Sequence, residues 1–120
     1  MRVLTEIECK NAMEKGEFEL PELAAASGMG AVILTQSWCP QWKAMKNYLP
    51  EAEKRLDGLK ILYIEYDQLS FFEEFMAFKE DILKNREIPF VLYFNNEKKD
   101  GKCSSTSNYL SLEGFLQRLS

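Results

Sequence analysis

The sequence contains no histidine, only three cysteines, and no basic stretch longer than a pair. Without histidine, the Cys-His nucleophile and the usual zinc sites are excluded, so no metal is expected. Cysteines at positions 9, 39 and 103 are odd in number and make no disulfide framework. Any cysteine chemistry is therefore thiol redox chemistry. The formal net charge of −4 comes from 19 acidic and 15 basic side chains mixed along the chain, which argues against nucleic acid as a partner. Long apolar runs are also missing. The longest aliphatic stretch is Ala31-Val32-Ile33-Leu34, and Glu6, Glu8 and Lys10 interrupt the start. Neither a signal peptide nor a membrane span is expected, and a cytoplasmic location is the default reading.

What is present suits a globular core. With 46% hydrophobic residues over 120 positions, the chain can bury an apolar interior without staples. The reading is one domain over 1–120, with 31–120 as the core and 1–30 as an N-terminal helical extension or variant first element.

Thr5-Glu6-Ile7-Glu8 matches a capping box, so a first helix is predicted over Glu6 to Lys15 with Gly16 ending it. Pro21 and the helix formers after it predict a short second helix before Gly28 and Gly30. The run from Ala31 to Gln36 reads as a central strand covered on both faces. From Pro40 to Arg55, Trp42, Met45, Leu49, Ala52 and Leu56 recur at three and four, a helical stripe that Pro50 is expected to kink or divide. A second strand is predicted over Ile61 to Tyr66. Ser70 and Glu73 then form a second capping box for a helix running to about Lys84. In the cluster Phe71, Phe72, Phe75 and Phe78, Phe71 or Phe78 is expected at the surface. Phe90 to Phe94 is a third strand, Asn95 to Gly101 a turn, Lys102 to Asn108 a fourth strand, and Ser111 caps a last helix. The pattern is α/β, with early strands parallel and the last pair antiparallel.

Cys39 stands where the central strand turns into a helix. Its sulfur is expected to face the free amide groups and the positive end of the helix dipole, which favour thiolate. Alone, a cysteine is more often a small buried hydrophobe. Its place before Pro40 at a strand-to-helix junction favours function.

At this point the sequence resembles the thioredoxin superfamily. The resemblance rests on Trp38-Cys39-Pro40-Gln41-Trp42-Lys43 after a strand and on Ile88-Pro89 before another, and it spans about residues 31–119. It implies a thioredoxin-like fold, with a central mixed sheet of four to five strands and helices on both faces. It also implies that Cys39 is the nucleophile, that Trp38 flanks a peptide-binding surface, and that Pro89 is cis and lies against Cys39. Ile88 then offers its backbone to an extended substrate, with Pro40 and Trp42 counted beside the groove. Three residues into the helix, Trp42 is expected chiefly to fill the volume beside Cys39 and shield it from solvent.

Two departures matter. Trp42 stands where dithiol members carry the resolving cysteine, and Ile33, six residues before Cys39, replaces a buried aspartate used in proton transfer. Cys9 and Cys103 are poorly placed to substitute for that second thiol. Three functions follow as expectations. The first is single-cysteine thiol-disulfide exchange, with mixed disulfides to protein thiols or glutathione and no other cofactor. The second is a redox-inactive module that binds extended peptides. The third is a thiol sensor at the same groove.

Overall fold

A computed structural model describes residues 1–24, 29–56, 58–95, 102–105, 113 and 116. In chain order the elements are β1 (Arg2–Val3), α1 (Glu6–Lys15), α2 (Pro21–Ala24), β2 (Met29–Thr35), α3 (Pro40–Arg55) and β3 (Leu59–Glu65). A 3₁₀ turn (Tyr66–Gln68) follows, then α4 (Phe72–Ala77), a π-helical turn (Phe78–Ile82), β4 (Phe90–Asn95) and β5 (Lys102–Ser105).

The five strands form one sheet in the order β1-β3-β2-β4-β5. β1 and β2 both run parallel to β3, while β4 is antiparallel to β2 and to β5. β2 lies at the centre, and all of its residues from Gly30 to Thr35 are buried. Its alternation divides the interior. Val32 and Leu34 pack with Cys9, Ala12, Phe75 and Phe78 on one face, and Ala31 and Ile33 pack with Trp42, Met45, Leu49 and Ala52 on the other. Helices α1 and α4 thus cover one face and α3 the other. This mixed sheet, with helices on both faces, is a thioredoxin-like α/β fold.

The sequence signals act locally as their chemistry requires. The Thr5 hydroxyl accepts from the Glu8 amide at 3.1 Å, and the Glu8 carboxylate accepts from the Thr5 amide at 2.9 Å, closing the capping box. Gly16 ends α1 at φ 81°, a left-handed conformation that suits a residue without a side chain. α3 buries Trp42, Met45, Leu49 and Ala52, and each large apolar side chain withdrawn from water contributes ~1.5–3 kcal/mol.

Several expectations are corrected. Pro50 does not divide α3, which is continuous over 16 residues. Pro50 is exposed, so its ring lies on the solvent side. The buried stripe on either side holds both halves of the helix to the sheet. Ser70 does not cap α4. The N-cap is Phe71, with no side-chain cap bond. The rings of Phe72 and Phe75, 5.7 and 5.4 Å from that of Tyr66, fix the phase of the helix and leave Ser70 outside it. Neither Phe71 nor Phe78 is exposed: Phe78 is buried and Phe71 half-buried. Tyr66 begins the 3₁₀ turn rather than ending β3. The two-residue strand β1 is additional. The turn over 96–101 and the cap at Ser111 lie outside the described residues, and of the last helix only Glu113 and Leu116 are described as helical. No helix among the described residues is long and apolar enough to cross a membrane.

Candidate functional site

Because β2 and β3 are parallel and in register at Thr35 and Glu65, the segments that follow them emerge side by side at the same end of the sheet. Residues at the carboxyl ends of parallel strands converge in this way in α/β folds generally. Here Ser37 meets Asp67: its amide and hydroxyl donate to the two carboxylate oxygens at 2.7 and 2.5 Å. Gln68 donates to the Ser37 hydroxyl and to Asp67 at 3.2 and 3.1 Å. Burial works against the Asp67 carboxylate, but the bonds from Ser37 and Gln68 outweigh it and hold its pKa below the ordinary value. This network pins the loop that carries Trp38 and Cys39.

Trp38 is 59% exposed, yet its indole is not free to swing. Nε1 donates to Gln36 Oε1 at 2.6 Å, and Gln36 Nε2 donates to the Tyr66 hydroxyl at 3.2 Å. Tyr66 is buried, and burial raises its pKa despite the Gln36 bond, with the charges of Glu80, Asp67 and Cys39 acting in the same direction as burial. An apolar ring is therefore presented to solvent in a fixed attitude beside Cys39.

Cys39 is the N-cap of α3, with Pro40 in the first turn. The structure corrects the expectation for its sulfur. No side-chain cap bond forms, so Sγ does not accept from the first amides of the helix. Instead the thiol faces two oxygens, Gln41 Oε1 at 3.3 Å and the Ile88 carbonyl at 3.9 Å. The residue is 1% exposed. Pro40 is exposed, Pro89 buried and Ile88 half-buried. The Ile88-Pro89 peptide is cis.

Trp42, in the first turn of α3, is 0% exposed. Its Nε1 donates to Glu65 Oε2 at 2.8 Å, its ring lies 5.2 Å from that of Tyr63, and Lys46 Nζ stands 5.5 Å above it. Cys9 and Cys39 are both free thiols. In Cys9, burial raises the pKa to about 12, helped by the charges of Glu8 and Glu6. Cys103 is opposite Tyr93, in the half of β4 away from Pro89. Among the described residues, no group of three or more acidic, cysteine or histidine side chains is placed to hold a metal.

Thus Cys39, next to Trp38 in the chain, meets Ile88 across the fold, while Trp42 belongs to the core. Gln36, Ser37, Gln41, Tyr66 and Asp67 were not foreseen. Polar residues directly after two strands that are parallel neighbours were the available signal.

No family model and no curated protein matches this chain. Among solved structures it is similar to the crystal structure of a wheat glutaredoxin. Identity is 23%, with 84% of this chain and 78% of that one covered and a TM-score of 0.45.

Proposed function

We propose that this chain is a thioredoxin-fold thiol redox protein that works through Cys39 alone. The observation carrying the reading is the meeting of Cys39 Sγ with the Ile88 carbonyl, 3.9 Å apart, beside a fixed and exposed Trp38. A thiol placed against a backbone edge and an aromatic face suits a disulfide carried on an extended chain. In the reaction, Cys39 loses its proton to solvent and its thiolate attacks a protein disulfide or a glutathione adduct. One Cys39–sulfur bond forms as the substrate's S–S bond breaks, and the leaving sulfur departs as thiolate. An external thiol such as glutathione then attacks the mixed disulfide and returns Cys39, because Trp42 supplies no second sulfur. The Gln41 side chain must move aside for attack, since it occupies the thiol in the resting state.

A second reading is favoured by one observation, the 1% exposure of Cys39. A sealed thiol fits a module that holds extended peptides on Trp38, Ile88 and Pro89 without redox chemistry.

The two readings are separated by incubating the protein with glutathione disulfide and with a glutathionylated peptide, then locating adducts by peptide mass spectrometry. The redox reading expects an adduct on Cys39, its release by glutathione, and loss of both in Cys39→Ser. If Cys39 stays unmodified while peptide binding persists in Cys39→Ser, the module reading replaces it.

A further inference from the structure

Lys79 is the second residue of the π-helical turn and is 0% exposed. Cations persist in protein interiors only where they are bonded or paired. Here Nζ donates to the Asn85 carbonyl at 3.0 Å and to Asn85 Oδ1 at 3.2 Å, and it stands 5.7 Å from the centre of the Phe90 ring. The Asn85 amide returns a bond to the Lys79 carbonyl at 3.2 Å. Asn85 Oδ1 also accepts from the Glu87 amide at 2.8 Å. All of these partners lie in the segment that ends the helical region and begins β4. Just before them, Lys84 takes φ 61°, a left-handed conformation that a residue with a side chain adopts only when its surroundings impose it. Between Glu87 and Phe90 comes Ile88, whose carbonyl faces Cys39.

We infer that Lys79 is a positioning residue, whose ammonium group ties the Asn85–Glu87 turn to Phe90 and so sets the Ile88-Pro89 edge against the Cys39 sulfur. The inference rests on the proposed role of Cys39 and Ile88. A π-helical turn is a fitting place for such a residue. Widening the helix to i→i+5 bonding, seen in the Leu83 amide donating to the Phe78 carbonyl at 3.1 Å, changes which side chains point inward. The charged groups around the ammonium are Glu80 in the same turn and Glu87 in the braced segment, with Arg86 paired to Glu80 at 3.4 Å. Burial lowers the Lys79 pKa to about 8 against the opposing pull of Glu80 and Glu87, so its proton leaves within an accessible range.

The test follows backbone amide shifts by NMR from about pH 6 to 10 in a Cys39→Ser background. A shared titration at Asn85, Glu87, Ile88 and position 39 is expected, and it should be absent when Lys79→Gln is added. Movement confined to Asn85 and Glu87 overturns the inference. In the protein with Cys39 intact, mixed-disulfide formation with an oxidised cysteine peptide should fall about five-fold in Lys79→Gln. Asn85→Ala, a milder change, should also slow it, and Lys79→Arg should recover part of the rate. Rates within about two-fold of wild type in folded Lys79→Gln and Asn85→Ala overturn the inference. If wild type forms no mixed disulfide while the NMR titration still reaches position 39, the chemical reading of Cys39 fails and the positioning role stands.

Discussion

The indole Nε1 of Trp42 donates to Oε2 of Glu65 at 2.8 Å, which ties the first turn of α3 to the last residue of β3. Trp42 is thus a structural tie between the helix that Cys39 caps and the strand paired beside β2. Trp42→Phe keeps most of the ring volume and loses the bond to a charged acceptor, for an expected cost of ~1.5–3 kcal/mol. Trp42→Ala also opens a cavity beside Ile33 and Met45 and should cost ~3–5 kcal/mol. Trp42→Cys falls nearer to the alanine change, so introducing a second thiol here should weaken the fold. Urea unfolding of the three variants checks the order, and a Trp42→Cys protein as stable as wild type would contradict it.

The parts of this site that were legible in the sequence are those fixed by local chemistry. Cys39 and Pro40 follow a continuous apolar strand and open a periodic helix, and Thr5 with Glu8 sets the start of α1. What was not legible depends on contacts between distant segments. Nothing near Ser37 in sequence points to Asp67, 30 residues on; only the register of Thr35 with Glu65 brings them together. The direction of the Cys39 thiol is illegible for the same reason. A helix start offers amides, but the Ile88 carbonyl, 49 residues away, and Gln41 offered acceptors instead. Pro50 leaves α3 undivided, because Met45, Leu49 and Ala52 hold the helix to the sheet on a scale that periodicity does not reveal.

The contact between Cys39 Sγ and Gln41 Oε1 at 3.3 Å requires the protonated thiol as donor. Gln41 is exposed, so its side chain can be truncated with little cost to the fold. In Gln41→Ala the sulfur loses this acceptor, and alkylation of Cys39 by iodoacetamide at fixed pH should speed up by roughly five-fold. Cys9 gives an internal control. Buried, with its pKa raised to about 12, it should remain unlabelled in the native state of both proteins and react only on unfolding. Peptide mapping after timed labelling distinguishes the two sites, and an unchanged Cys39 rate would show that Gln41 does not restrain the thiol.

Gly30 is placed where two elements approach too closely for a side chain. A Cβ there would lie 2.6 Å from the Lys60 carbonyl oxygen and would also collide with Leu23 Cδ2. The Leu23 methyl can shift, whereas the carbonyl belongs to the strand paired beside it. Gly30→Ala should therefore lower stability by ~1–3 kcal/mol, the usual cost of forcing atoms into a packed interior. It should act on the fold while leaving Cys39 reactivity per folded molecule unchanged, because Gly30 lies at the opposite end of β2 from the thiol. Thermal unfolding combined with the alkylation rate tests both halves.

Glu8 links the first strand to the first helix, and its ionisation should be readable in acid. Its carboxylate accepts from Arg2 Nη1 and Nη2, both at 2.9 Å, while closing the capping box with Thr5. The Arg2 hydrogen bonds do most to lower its pKa from 4.5 to about 2, with Thr5 assisting and burial opposing. A carboxyl group with a depressed native pKa stabilises the fold above its ordinary pKa, and that contribution disappears as the pH falls from about 4.5 towards 2. Glutamine at this position still closes the capping box, so the substitution removes only the charge paired with the partly exposed Arg2, worth about 1 kcal/mol. Glu8→Gln should be less stable than wild type by that amount at neutral pH. The two proteins should converge as the medium approaches pH 2, and denaturant melts across this range would show parallel curves instead if Glu8 were not the group responsible.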